Sequence, residues 1–351
     1  MTYRVVQWTT GNVGKKSVHA VAANSELELV GCYAWSADKV GVDVGELCGV
    51  APLGVRATDD VEALLALHPD CVVYNPMFAD VDDLVRILER GINVVTTSEF
   101  INGRGLGPDR QRLLDAGHRG GATIFGSGIN PGFIQLFAIV TAGLSDRVDK
   151  ISILESFDTT IYDSPATEIP MGFGYSVDDP TLPAVTEKGS AIFREAVLLV
   201  ADALGVALDE VRCAAEYAET TEDLPLPGDW IIEKGCVAGI DVRWSGIVDG
   251  REVIEIRGVW TKGQSLQPPW STAFGYTVTV HGRPTITSTL RFEPPPDFVA
   301  ESIEDFVMLG LTITAMPAIT AIPVVVAAPP GIATYTDLPL LLPRGVLNTT
   351  S

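Results

Sequence analysis

The segment Val5-Val6-Gln7-Trp8-Thr9-Thr10-Gly11-Asn12-Val13-Gly14-Lys15 constrains the fold more than any other. An apolar run, a glycine turn and a helix start succeed one another directly. The dinucleotide fingerprint G-x-G-x-x-G has this shape, and here it reads Thr9-x-Gly11-x-x-Gly14, with threonine in place of the first glycine. Gly11 lets the backbone approach a diphosphate, and Gly14 lets helix and strand pack closely. The helix N-terminus offers the anion its N–H groups and the positive end of its dipole. The alternative is a tight turn with no ligand. The place of the motif, after a strand and before a helix, favours nucleotide binding through Thr9, Thr10, Gly11, Asn12, Val13 and Gly14.

The next hundred residues support nucleotide binding. Strands over 5–9, 27–35, 71–74, 92–97 and 122–125 alternate with helices over 13–24, 61–67, 81–90 and 109–116. The strands are near-continuous Val/Ile runs, as expected when both faces of a parallel sheet are covered. The alternation predicts an α/β domain of Rossmann type, with a doubly wound parallel sheet. After Phe133 the pattern changes. A strand over 150–157 and a helix over 191–204 precede alternating apolar residues on both sides of Asp249-Gly250, a hairpin signal because both turn positions need positive φ. His281-Gly282 reads as a second hairpin turn. This predicts an α+β domain with a mostly antiparallel sheet, one face on a core and the other free to meet a helix or a second subunit. The expected organisation is a dinucleotide-binding domain over 1–133, an α+β substrate and dimerisation domain over 134–304, and an apolar helix and tail over 305–351.

Composition excludes several functions. Lys+Arg total 24 against Asp+Glu 45, a net charge of −21. Phosphate backbones and anionic lipids repel such a surface, so nucleic acid and membranes are excluded as partners. The stretch 306–336 has no charged residue and is long enough to span a bilayer. Pro317, Pro323, Pro329 and Pro330 interrupt it and no basic cluster flanks it, so it reads as a helix buried in a core or subunit interface. Five cysteines without C-x-x-C spacing signal neither a disulfide framework nor zinc, and the chain runs straight into a strand without a leader pattern. Both point to the cytoplasm. The four histidines lack ligand spacing, and no metal is expected.

The strand ends carry the remaining candidates. No acid comes directly after the second strand in Ala34-Trp35-Ser36-Ala37-Asp38-Lys39. Ser36 and Lys39 can cradle a 2′-phosphate, which favours NADP, while Asp38 leaves NAD open. Asn75 and Pro76 close the next strand, and Thr97 and Glu99 the one after. Glu99 falls where the nicotinamide is expected, and a partly desolvated carboxylate there can exchange protons near neutral pH. Its alternative is a helix cap or a surface acid. In Gly126-Ser127-Gly128-Ile129-Asn130-Pro131-Gly132-Phe133, Asn130 can bond a substrate or the carboxamide; the alternative is a structural crossover. Phe133, Met171, Phe173 and Trp270 are candidate pocket walls. Trp230, Trp244 and Trp260 read as core or interface.

Thr10-Gly11-Asn12-Val13-Gly14, Thr96-Thr97-Ser98-Glu99, Gly128-Ile129-Asn130-Pro131-Gly132 and Ala315-Met316-Pro317-Ala318-Ile319-Thr320-Ala321-Ile322-Pro323 occur in this order. Together they resemble the 2,4-diaminopentanoate dehydrogenase and native amine dehydrogenase group, whose N-terminal domain is shared with dihydrodipicolinate reductase. The resemblance implies a homodimeric NAD(P)-dependent enzyme that interconverts an amine with a small ketone or aldehyde plus ammonia. It implies that hydride passes from nicotinamide to an iminium, with Glu99 at the family's proton-transfer position. It also implies that the apolar helix returns to the nucleotide domain or the dimer contact. The H-H-x-x-K motif and S-G-T loop of dihydrodipicolinate reductase are absent. Two other readings stay open: an NAD(P)H-dependent C=C or C=O reductase that uses no ammonia, and a non-catalytic NADP-binding protein.

Overall fold

The apolar runs of the first third become the strands of a parallel sheet. In the computed structural model, which describes residues 2–347 except Glu99 and Asp163 and leaves aside the side chains of Ile303 and Glu304, the chain divides into two units. One comprises Met1–Phe133 with Met308–Ser351, the other Ile134–Val307.

The first unit begins β1 (Tyr3–Trp8), α1 (Asn12–Ala23), β2 (Leu27–Tyr33), α2 (Val44–Cys48), β3 (Ala57–Thr58), α3 (Val61–Leu65) and β4 (Cys71–Tyr74). It continues through α4 (Val81–Glu89), β5 (Asn93–Thr96), α5 (Asp109–Gly120) and β6 (Thr123–Gly126). Val72, Val94 and Ile124 are fully buried, which is why these strands carry no polar alternation. Two elements escape sequence pattern. α2 and β3, five and two residues long, are too short for an apolar period to repeat clearly, and α2 is set by Asp43, whose carboxylate accepts from the Gly45 N–H. α5 runs past its expected end and stops where Gly121 turns left-handed at φ 72°.

The second unit opens with α6 (Ile134–Ala142), β7 (Arg147–Asp158), α7 (Pro165–Glu168), α8 (Leu182–Gly189) and α9 (Ile192–Leu204). Then come β8 (Glu210–Thr220), β9 (Leu224–Leu226), β10 (Trp230–Ile232), β11 (Val237–Val248), β12 (Arg251–Thr261), β13 (Leu266–Gln267), β14 (Gly275–Arg283) and β15 (Ile286–Leu290). Its large sheet has the order β13-β8-β11-β12-β7-β14-β15 and is antiparallel except where β12 runs parallel to β7. Asp249 and Gly250 both take positive φ, 50° and 71°, as the hairpin between β11 and β12 requires. Trp244 and Trp260 are core residues: the Trp244 indole donates to Ser190 Oγ at 2.9 Å, and Trp260 lies beside Phe193 of α9.

His281-Gly282 is not a turn. Both residues lie inside β14, the ladder shifts register between them, and the chain reverses one residue later, after Arg283. A Cβ on Gly282 would sit 2.0 Å from the Arg147 carbonyl oxygen, so this glycine serves a close backbone approach.

The chain then forms α10 (Ile303–Val326) and β16 (Gly331–Ala333). α10 is long and apolar enough to cross a membrane, the one such helix among the described residues. Ala315, Ala318, Ile319, Ile322 and Val325 are buried and recur at helical spacing, as on a core-facing helix. β16 adds to β6 in parallel and completes a seven-stranded sheet of order β16-β6-β5-β4-β1-β2-β3.

Candidate functional site

β1 lies between β4 and β2 in the parallel sheet, so three neighbouring strands end on one edge. Thr9, Thr10 and Gly11 from the first, Ala34, Trp35, Ser36 and Lys39 from the second, and Asn75, Pro76 and Met77 from the third line one cleft of about 280 Å³. Thr9 takes φ 72°, the left-handed conformation usually given to the missing glycine. Gly14 has no alternative, since a Cβ there would lie 2.5 Å from the Thr9 carbonyl oxygen. At Gly11 a Cβ would meet nothing within 4 Å. α1 starts there with no side-chain cap and no acid in its first turn.

Gln7, which the sequence pattern did not single out, organises this turn. Its buried amide donates to the Thr9 carbonyl and to Asn75 Oδ1, both at 2.8 Å. Asn75 in turn donates to Thr97 Oγ1 at 2.8 Å. The ends of β1, β4 and β5 are thus tied side chain to side chain. Asn75 and Thr97 hold the edge in shape rather than standing free. The signal was a lone glutamine in the otherwise apolar strand Val5-Val6-Gln7-Trp8.

At the end of β2, Ser36 donates its hydroxyl to the Asp38 carboxylate, and that bond holds Asp38 below the usual carboxylate range. The Ser36 hydroxyl, one member of the expected phosphate cradle, is thus engaged by its neighbour. Lys39 lines the cleft and makes no ion pair among the described residues. Trp35 and Met77, also not singled out by pattern, line the same cleft and are exposed.

Glu99 lies outside the described residues. Beside it, Ser98 donates its hydroxyl to the Pro76 carbonyl at 2.6 Å, and Phe100 is fully buried. Asn130 and Phe133 come after β6 on a loop closed by the Phe133 N–H donating to the Gly128 carbonyl at 2.8 Å. Gly132 takes φ 138° within it, and Ser127 Oγ lies 2.5 Å from the Tyr335 hydroxyl. Neither Asn130 nor Phe133 lines the cleft.

Within the second unit the expected pocket walls have packing partners. The ammonium of fully buried Lys262 meets Glu168 at 2.8 Å and the Thr159 carbonyl at 2.9 Å. It also lies over the rings of Phe173 and Trp230, at 5.5 and 5.3 Å from their centroids. The Met171 carbonyl accepts from Thr186 Oγ1 at 2.8 Å. Trp270 covers the backbone of Gly239, where a Cβ would lie 2.9 Å from the indole. Among the described residues, no group of His, Cys, Asp and Glu side chains is arranged to hold a metal ion.

Residues 134–351 match the 2,4-diaminopentanoate dehydrogenase C-terminal domain, and residues 5–97 match the N-terminus of dihydrodipicolinate reductase. An amine dehydrogenase from Streptomyces virginiae is 32% identical over 305 residues, covering 82% of this chain and 84% of that protein. The chain belongs to the amine dehydrogenase family. It is therefore an NAD(P)-dependent oxidoreductase acting on CH–NH2 groups. The solved structure of an amine dehydrogenase from Mycobacterium smegmatis has the same fold, with a TM-score of 0.80 and 21% identity over 98% of each chain. A 4-hydroxy-tetrahydrodipicolinate reductase from Synechococcus elongatus is 39% identical over 85 residues, only 20% of this chain and 31% of that protein. The kinship to that reductase is local.

The cleft fits the nicotinamide dinucleotide that this family implies. Its floor is an uncapped helix N-terminus, open space beside Gly11, and the buried Thr10 Oγ1, which has no hydrogen-bond partner among the described residues. A diphosphate satisfies all three, since it brings negative charge and acceptor oxygens to a place that offers only donors.

Proposed function

We propose that this chain catalyses NAD(P)H-dependent reductive amination of a small ketone or aldehyde with ammonia, and the reverse oxidative deamination. The observation that carries this reading is its match to the amine dehydrogenase family over most of its length, joined to an open helix end in the cleft of the parallel sheet. Bound there, the reduced cofactor supplies a hydride to the carbon of an iminium made from carbonyl and ammonia. The chain's own residues do the rest. Thr9 to Gly14 hold the diphosphate through the turn and the first N–H groups of α1. Gln7, Asn75 and Thr97 keep the three strand ends in register. Glu99 takes a proton from ammonium to release the nucleophile, then returns one to the carbinolamine hydroxyl as water leaves. Its negative charge favours the cationic iminium over the neutral carbonyl, and this differential raises rate.

Glu99→Gln keeps cofactor affinity and lowers turnover by about two orders of magnitude, the usual size of a lost general base. Turnover equal to the parent's removes Glu99 from the mechanism. Cofactor oxidation by a panel of ketones and aldehydes, run with and without ammonium, tests the reaction itself. Oxidation that proceeds equally without ammonium replaces this reading by a carbonyl or C=C reductase.

In this reading the preferred cofactor is NADPH, read at its 2′-phosphate by Lys39 and by Ser36 once its hydroxyl turns from Asp38. Lys39→Ala is expected to weaken NADPH about tenfold, the order of one hydrogen bond to a charged group, and to leave NADH unchanged. The working assembly is a homodimer, and light scattering of the purified chain checks it.

A further inference from the structure

Among the described residues the indoles of this chain range from buried to exposed, with Trp230 and Trp270 between the extremes. Trp8, Trp244 and Trp260 are at most 7% exposed, and Trp8 stacks on Tyr33 with ring centroids 4.6 Å apart. Trp35 is 74% exposed and makes no ring contact among the described residues. Its position is particular. It lies just beyond β2, lines the same cleft as Thr9, Thr10 and Gly11, and adjoins Ser36. Across β1 in sheet order, at the end of β4, Pro76 and the 47% exposed Met77 line that cleft as well. A flat aromatic surface and a polarisable thioether thus stand one on each side of the turn that ends in the open helix.

We infer that Trp35, with Pro76 and Met77 on the other lip, forms the platform that holds the adenine base of the dinucleotide. This rests on the dinucleotide reading of the cleft. The diphosphate belongs at the N-terminus of α1, between the two lips. The ribose carrying the base has its 2′-position at the end of β2, where Ser36 and Lys39 stand. The base on that same ribose must then lie within a residue or so of Ser36, and the neighbouring side chain in the cleft is Trp35. A purine ring covers indole surface that otherwise faces water, and base–aromatic stacking is favourable for any purine face. The thioether of Met77 adapts to the opposite face of such a ring.

The test uses the full chain and two probes, NADPH and adenosine 2′,5′-bisphosphate, the second carrying no nicotinamide. Calorimetry is expected to show Trp35→Ala weakening both by about tenfold, the order seen when a stacking side chain is removed, with Trp35→Phe recovering most of the loss. Tryptophan emission of the parent is expected to fall on addition of the bisphosphate, and that of Trp35→Phe to stay level. Because the indole is exposed, its removal leaves the core intact, and an unchanged melting temperature verifies this. Affinities of Trp35→Ala within twofold of the parent for both probes overturn the platform while leaving dinucleotide binding in place. A parent chain that binds neither NADPH nor NADH overturns the dinucleotide reading itself, and the platform with it.

Discussion

The helices of the parallel-sheet unit begin differently; α5, for one, follows Pro108 with no side-chain cap but has Asp109 in its first turn. α2, α3 and α4 open on Asp43, Asp60 and Asp80, each with its carboxylate accepting a backbone N–H, and each helix carries at least one further acid in its first turn. α1 opens on Gly11, with neither cap nor acid. A side-chain cap stabilises a helix by about 1 kcal/mol, and acids near the N-terminus add to that through the dipole. Three helices of the same unit take that stabilisation and α1 forgoes it. The difference teaches where to look for a ligand. An aspartate already occupies the anion-binding end of α2, α3 and α4, so those N-termini are closed. The end of α1 has its donors and its field intact, at the mouth of the cleft lined by three strand ends.

The contrast can be broken deliberately. The largest effect is expected from Gly14→Ala. Its Cβ would lie 2.5 Å from the Thr9 carbonyl oxygen and 3.1 Å from Gln7 Nε2, so the start of α1 must move off the strand. Titration should show dinucleotide affinity falling about a hundredfold, as small displacements of a binding element can produce, and melting should show a loss of about 1–3 kcal/mol.

Gly11→Asp sharpens the comparison, because it gives α1 the cap that its neighbours have. A side chain fits there without collision. Calorimetry should find NADPH weakened about tenfold by the added negative charge, while the melting temperature stays level or rises, since the cap adds about 0.5 kcal/mol. A variant that binds cofactor as the parent does would show that the open end has no bearing on binding.

The converse change is Asp80→Ala. It removes the cap of α4, whose carboxylate accepts from the Asp82 and Asp83 N–H groups. Stability should fall by about 1 kcal/mol in a denaturant titration, with cofactor affinity unchanged.

The smallest effect concerns acid. The backbone N–H of Leu53, with those of Gly45 and Gly54, holds Asp43 below its ordinary value of 3.8. The folded state therefore prefers the charged form. That contribution is complete above the ordinary value and is lost as pH falls through the lower folded one. Melting temperatures measured from neutral pH downward should drop less steeply in Asp43→Asn than in the parent.

Burial decides how much of the molecule was legible in the sequence. Cys71–Tyr74 was readable to the residue, because a strand covered on both faces reads as a near-continuous apolar run. The Thr9-to-Gly14 turn was legible because backbone geometry leaves few residues able to make it. β16 was not, since three residues show no period. His281-Gly282 misled because glycine marks both turns and close approaches, and only the register with β7 separates the two. In the site, Trp35 and Met77 were hidden for a common reason. Periodicity reports which face of an element is buried, and says nothing of which side chain beyond its end turns toward a neighbouring strand. The engagement of Ser36 by Asp38, two residues on, is local competition that no pattern of polarity reveals.

The position of β16 has a consequence for biosynthesis. Gly331–Ala333 hydrogen-bonds along β6, and Thr123 Oγ1 donates to the Pro329 carbonyl at 2.8 Å. A ribosome delivers β6 some two hundred residues before its partner exists. Throughout that interval one border of the nascent sheet stays unzipped, a template for any passing extended peptide. A border made early is thus sealed only after a long delay, and any fragment ending short of residue 331 would keep it open for good.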